Sequence, residues 1–153
     1  MGLFDFLRPR TTRGTPALAP VVRACVTSPT PVALDRLYRQ LRDSPVLVML
    51  NQRVPGLPNG ALLTPQSGVR VEFVTTQERR TGARVVPVFT DEAVLMARFT
   101  PHAGARGDAL PYVGLRGRHL LAVIGDLGLA LYAGDTPLYL DAATVQRLAS
   151  RRG

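Results

Sequence analysis

The chain has 153 residues, the size of one ordinary domain, and its hydrophobic share of 46% is enough to form a core, which excludes an intrinsically disordered protein. The net charge is +8, and this charge attracts nucleic acid, anionic membranes or acidic proteins. No long apolar run is present, so we expect neither a transmembrane helix nor a secretory signal. The single cysteine, Cys25, indicates a reducing cytoplasm.

All basic residues are arginines, because the sequence contains no lysine. Two origins are compatible with this composition. A GC-rich genome favours arginine codons everywhere, whereas selection for bidentate contacts to phosphate or carboxylate favours arginine at particular sites. The complete absence of lysine favours the genomic origin.

Residues 1–30 are predicted to form a basic, proline-rich arm that precedes a domain at residues 31–153, because prolines interrupt any long helix there. VVRACV (21–26) is interpreted as an added strand or an extended tether. The segment LFDFL (3–7) is the candidate docking element for a protein partner, for an anionic membrane, or for its own domain or a second copy. Its docking residues are Leu3, Phe4, Phe6 and Leu7.

The first half of the domain is predicted from caps and periodicity. Thr30 caps a helix at 31–43, and the wholly apolar run VLVML (46–50) predicts a strand that is buried on both faces. A loop follows, with a short strand at Leu62–Leu63. The alternation of VRVEFVT (69–75) predicts a strand that forms a hairpin with RVVPVF (84–89).

Pro87 removes a backbone donor from the second strand of this hairpin, which predicts an edge strand or a local irregularity. Thr90 is the predicted cap of a helix at 91–99. The remaining elements are then assigned in chain order: a strand at 111–115, a helix at 117–124, strands at 127–132 and 137–140, and a helix at 142–150 that Asp141 caps. Together they predict an α+β fold with one mixed, largely antiparallel sheet and about four packed helices.

Four segments carry a resemblance to a known family: LRDSPVLVML, RVVPVFTDEAVLMARF, VGLRGRHLLAVI and LGLALYAGDTPLYLDAATVQRL. In this order they resemble the SseB N-terminal domain family (enhanced serine sensitivity protein) over residues 31–150. The closing turn departs from the family's usual Asn-Pro-Gly-like pattern, because it reads AGDTP. The resemblance implies a small bacterial α+β domain with no settled catalytic activity and no cofactor.

Two arginine-rich segments are candidate anion or nucleic-acid contacts. In the segment 114–118, glycines permit close backbone approach beside a helix start, although a tight turn with solvent-exposed arginines explains the same residues and is favoured. The hairpin tip is the second segment, and a solvated basic surface is again the favoured interpretation. The candidate contact residues are Arg79, Arg80, Arg84, Arg116, Gly117 and Arg118.

No catalytic or metal-binding constellation is recognisable, because His102, His119 and Cys25 lack the spacing that such sites need. The leading hypothesis is therefore a non-enzymatic protein-interaction or adaptor domain in the bacterial cytoplasm, with no cofactor and with a protein partner or a second copy of the chain. The alternative is a basic protein that binds the phosphate backbone of nucleic acid through its arginines.

Overall fold

The computed structural model describes residues 18–99 and 111–150. These ranges contain five helices: α1 (Leu18–Thr27), α2 (Pro31–Asp43), α3 (Glu92–Phe99), α4 (Gly117–Val123) and α5 (Ala142–Ser150). They contain seven strands: β1 (Pro45–Met49), β2 (Leu62–Leu63), β3 (Thr76–Gln77), β4 (Arg84–Phe89), β5 (Tyr112–Arg116), β6 (Gly128–Tyr132) and β7 (Pro137–Leu140). A 3₁₀ turn at Pro65–Ser67 follows β2.

All seven strands belong to one sheet with the order β2-β5-β1-β4-β6-β7, and β3 pairs with the start of β4. The pairs β2–β5 and β4–β6 are parallel, whereas the other four pairs are antiparallel. The predicted α+β fold with a mixed, largely antiparallel sheet is therefore confirmed. The described part of the chain holds one helix more than the four predicted, and this extra helix is α1.

Helices α1, α2, α4 and α5 cover one face of the sheet and form the main core with it. Alternate residues of the central strands point into this core, and Val48, Val88 and Leu131 have no exposed surface. Burying an aliphatic side chain of this size contributes about 1.5–3 kcal/mol. The strand β1 is largely buried on both sides, as the apolar run predicts.

The opposite face of the sheet forms a second, smaller core with α3. Met49, Phe89 and Ala130 point to this side, and Leu95 packs onto them from α3. Within the described ranges, α3 is the one helix whose buried residue belongs to this cluster, so this face has less helical cover than the main core.

The prediction that VVRACV is a strand or a tether is wrong, because it lies in α1 and packs on the main core. Leu18, Val22 and Cys25 are buried there, and the Cys25 thiol donates a hydrogen bond to the Ala33 carbonyl oxygen of α2 at 3.2 Å. Pro20 does not break this helix, because it stands in the first turn, where backbone N–H groups need no helical partner. The folded unit thus includes chain that was predicted to belong to the arm.

Side-chain caps begin three of the other helices. The Thr30 hydroxyl accepts a hydrogen bond from the Ala33 amide at 3.1 Å, and the Asp141 carboxylate accepts one from the Thr144 amide at 2.8 Å, so both predicted caps are confirmed. The predicted Thr90 cap is wrong, since the Val94 amide donates to Asp91 at 2.9 Å. A carboxylate there also faces the positive end of the helix dipole.

The hairpin is shorter than predicted, because strand pairing with β4 is confined to Thr76–Gln77. In the predicted strand 69–75, only Phe73 forms a β-bridge, to Leu50, so this prediction is wrong over most of its length. The reason is the sheet register. The end of β4 pairs with β1. The segment 72–74 therefore forms hydrogen bonds with residues 49–51 at the end of β1, instead of pairing with β4.

The edge-strand interpretation of β4 is also wrong, since β4 lies between β1 and β6 in the middle of the sheet. On its antiparallel side, β3 pairs with Arg84 and Val85, and β1 pairs with Val88 and Phe89. Pro87 falls in the gap between these two partners. The missing amide donor is accommodated at this interruption, which agrees with the alternative of a local irregularity.

Candidate functional site

The predicted hairpin arginines lie at one end of the sheet, where Arg79 and Arg80 occupy the tip and Arg84 begins β4. All three are exposed. Glu78 closes the tip by accepting hydrogen bonds from the Arg80 amide (3.1 Å), the Thr81 amide (2.8 Å) and the Thr81 hydroxyl (2.6 Å). The hydroxyl bond is the main cause that lowers the pKa of Glu78, and the two amide bonds act in the same direction. This carboxylate is therefore engaged by the turn itself.

The second predicted segment lies where β5 ends and α4 begins, with Arg116 and Arg118 exposed on either side of the buried Gly117. The Gly117 amide donates to the Ser44 carbonyl oxygen at 2.9 Å. A Cβ atom on this glycine would lie 1.7 Å from the Leu41 carbonyl oxygen. The close approach of α2 thus accounts for the glycine, and its N–H group is already bonded within the fold.

The two arginine groups stand at opposite ends of the sheet. Arg116 pairs with Pro45 in β1, whereas Val88 of β4 pairs with Val48, and Arg84 lies further along in the same direction. Three residues from Pro45 to Val48 and four from Val88 to Arg84 correspond to about 23 Å at the usual rise of a strand. The fold does not bring these arginines together into one continuous patch.

The side of the sheet that carries α3 has a continuous row of apolar and aromatic residues, which crosses six strands from β2 to β7. Each member pairs with the next in the sheet register. The row consists of Leu62, Gly114, Leu47, Phe89, Tyr132 and Pro137. The rings of Phe89 and Tyr132 stack at 5.2 Å between centroids with an angle of 16° between their planes. This row ends at β7, beside the aromatic residue that is most exposed among the described residues of this face.

That residue is Tyr139, whose relative exposure is 46%. It stands opposite Ala130 in the sheet, next to the strand that carries Tyr132. We give the name Tyr139 surface to Tyr139, Tyr132, Arg98, which lies over Tyr132, and Arg79, whose charge acts on Tyr139. The guanidinium carbon of Arg98 lies 5.2 Å from the centroid of the Tyr132 ring, within the range of a cation–π interaction.

The electrostatic environment of Tyr139 shows which charges are close to it. Partial burial is the main cause that raises its pKa, and Tyr132 and Glu78 act in the same direction, while Arg98 and Arg79 lower it. Glu78 stays ionised, because its hydrogen bonds lower its pKa, but little of its surface is exposed. The solvent-exposed charges near Tyr139 are therefore the two guanidinium groups. The Tyr139 surface therefore combines an exposed phenol with two cations.

Helix α3, which supplies Arg98, is held on this face at its other end by a hydrogen bond from the Tyr112 hydroxyl to the Glu92 carboxylate. Burial is the main cause that raises the pKa of Tyr112 to about 12, and the bond to Glu92 adds to it. Tyr112 thus remains protonated at neutral pH and donates. Together with the buried Leu95, this bond orients α3 so that Arg98 lies over Tyr132.

Two further side chains of reactive types, Cys25 and His119, have pKa values that are shifted mainly by burial. Burial raises the pKa of the Cys25 thiol, which keeps it protonated. Burial is also the main cause that lowers the pKa of His119, with Arg118 and Arg116 as further causes. Within residues 18–99 and 111–150, no group of three or more His, Cys, Asp or Glu side chains is arranged to hold a metal ion. His102 and the segment 3–7 lie outside the described residues.

The Tyr139 surface is not among the sites predicted from the sequence. A local signal was present in the alternation of LGLALY and PLYL, which places Tyr132 and Tyr139 on the same face of two neighbouring strands. The contributions of Arg79 and Arg98 depend on how α3 and the hairpin fold back, and the sequence has no local signal for that.

Comparison with known proteins gives one match. The family model of the SseB protein N-terminal domain matches residues 18–147. The matched region starts at the first residue of α1 and ends within α5. No curated protein and no solved structure matches the chain. Among the helices of the described residues, none has the length and apolar character that crossing a membrane requires.

Proposed function

The chain belongs to the SseB N-terminal domain family, and on this basis we propose that it is a non-enzymatic protein-interaction domain that acts in the bacterial cytoplasm. The observation that carries this proposal is the Tyr139 surface, because tyrosine and arginine are the residues that most often dominate binding energy at protein interfaces. The environments of Cys25 and His119 support a non-enzymatic role, since neither side chain has an activating partner among the residues that the structure describes.

The geometry of Tyr139 is suited to an interface. Its ring is rigid, with two rotatable side-chain bonds, so ordering it on binding costs little conformational entropy. Arg98 is already positioned over Tyr132, which reduces the entropy that it loses on contact. The predicted docking residues of the arm, Leu3, Phe4, Phe6 and Leu7, lie outside the described residues and stay a second, independent prediction.

The experiment is a pull-down with the tagged full-length chain from bacterial cytoplasm, with nuclease-treated and untreated halves. The variant is Tyr139→Ala, and the control is Val123→Ala, because Val123 is a solvent-exposed apolar residue on α4, on the opposite face. We expect a discrete protein partner that survives nuclease, is retained by Val123→Ala and is lost with Tyr139→Ala.

Two results would contradict the proposal. A partner that binds equally to Tyr139→Ala and to the control places the interface elsewhere. Proteins that all disappear after nuclease, together with co-purified nucleic acid, favour phosphate binding through Arg79, Arg80, Arg84, Arg116 and Arg118.

A further inference from the structure

The proposal of an interaction domain leaves open which partner chemistry the surface recognises. Resting on that proposed function, we propose that the Tyr139 surface binds an acidic segment of a partner protein, with carboxylates on Arg79 and Arg98 and an apolar side chain against the Tyr139 ring.

The charge of the surface is the first argument. Arg79 and Arg98 are both exposed, and among the described residues no carboxylate lies within ion-pair distance of either guanidinium. Glu78, which directly precedes Arg79, has little exposed surface and accepts three hydrogen bonds from its own turn. The two arginines therefore have donors available for a partner, and guanidinium groups bind carboxylates in bidentate geometry.

The aromatic part of the surface is the second argument. Tyr139 exposes 46% of its surface beside these cations, and Pro137 next to it on β7 is partly exposed. An apolar side chain that covers the ring gains burial energy and also excludes water from the neighbouring ion pairs, which strengthens them. A segment that alternates acidic and apolar residues satisfies both parts of the surface.

The net charge of +8 is the third argument, because it accelerates the encounter with an acidic segment before any contact forms. This effect is not specific to one face. A test must therefore separate the local arginines from the overall charge, and the chain offers a matched control in Arg36, which is exposed on α2 on the opposite face of the sheet.

Nucleic acid fits this surface less well. A platform for single strands needs successive aromatic rings on which bases stack. Here Phe89 is fully buried and Tyr132 is 8% exposed beneath Arg98, so among the described rings on this face Tyr139 is the one that is open to a base. The second arginine group stands about 23 Å away along the strands, at the other end of the sheet, and does not extend the patch.

The test measures fluorescence anisotropy of labelled peptides with the full-length chain at low and moderate salt. The probes are a short Glu/Leu peptide, the same peptide with Gln in place of Glu, and a single-stranded oligonucleotide. The variants are Arg98→Gln, the double variant Arg79→Gln/Arg98→Gln, Tyr139→Ala and the control Arg36→Gln. Circular dichroism of every variant verifies that the fold is unchanged.

We expect the Glu/Leu peptide to bind more tightly than the Gln/Leu peptide. Arg98→Gln should weaken binding roughly 3- to 5-fold, the upper part of the change that an exposed ion pair contributes. The double variant should bind both peptides alike, and Arg36→Gln should stay within about 2-fold of the parent. Tyr139→Ala should weaken binding of both peptides, because both carry leucine.

Three outcomes overturn the inference. Equal binding of the two peptides refutes carboxylate recognition, and an equal loss in Arg36→Gln shows that only the overall charge matters. An oligonucleotide that displaces the peptide and depends on Arg79 and Arg98 assigns the surface to nucleic acid instead. If the pull-down partner is lost with Tyr139→Ala while the peptides fail these criteria, the interaction function stands and only the acidic specificity is wrong.

Discussion

Substitution of Gly117 by alanine is a sharp test of why this glycine stands between two arginines. An added Cβ would lie 1.7 Å from the Leu41 carbonyl oxygen and 2.6 Å from its carbonyl carbon, whereas ordinary contacts begin at 3.4 Å. The start of α4 must therefore move away from the end of α2 by about the difference between 1.7 and 3.4 Å. This movement also stretches the hydrogen bond of 2.9 Å from the Gly117 amide to Ser44.

The expected destabilisation follows from these two effects. Overpacking costs about 1–3 kcal/mol, and the weakened hydrogen bond costs about 1 kcal/mol. Intrinsic helix propensity acts in the opposite direction, because alanine is better than glycine in a helix by about 1 kcal/mol, so Gly117→Ala should lower the free energy of unfolding by roughly 1–3 kcal/mol. The sign of the measured change therefore shows whether the steric contact dominates.

Urea denaturation monitored by circular dichroism measures this change. The matched control is Gly134→Ala, because a Cβ at Gly134 meets no atom within 4 Å. We expect the control to stay within about 0.5 kcal/mol of the parent, as surface substitutions do. If Gly117→Ala is as stable as this control, the packing explanation is wrong and an anion-contacting role for this glycine becomes the better one.

Two further predictions concern α1 and Tyr112. Val22→Ala should lower the free energy of unfolding by about 2 kcal/mol in urea denaturation, because two buried methyl groups are lost from the main core. An unchanged stability would show that α1 is not part of the folded unit. Tyr112→Phe should remove the tyrosine that ionises at about 12 from the absorbance titration of tyrosinate. Folding raises the pKa of Tyr112, so the stabilising contribution of this residue is complete below the unfolded pKa near 10 and is lost as the pH rises through 12. Between pH 10 and 12 the parent should therefore lose stability more steeply than Tyr112→Phe. The same slope in both proteins would refute the raised pKa of Tyr112 in the folded state.

Much of the local structure could be predicted because it depends on neighbouring residues. The bounds of α2 follow from the Thr30 cap, Pro31 and the apolar stripe behind them, and those of α5 follow from the Asp141 cap. The α+β class follows from the order of helical and alternating patterns. The resemblance to the SseB family, carried by four short segments, is confirmed by the match over residues 18–147.

The errors occurred where a local signal has two structural solutions. Pro20 and the short apolar run after it suited an extended tether, but a proline is also compatible with the first turn of a helix, and the main core offered a surface for Leu18, Val22 and Cys25. Pro87 suited an edge strand, but the gap between β3 and β1 accommodates it in the middle of the sheet.

The sequence by itself determined the helix caps, the periodicities and the excess of arginine, because these depend on each residue and its near neighbours. The tertiary structure decided which strands are central, why Gly117 is needed, and where the arginines stand relative to one another. It also assembled Arg79, Arg98 and Tyr139 on one surface from a hairpin, a helix and the last strand. Such contacts depend on strand register and on the burial of distant apolar faces against each other, and no short window of sequence contains that information.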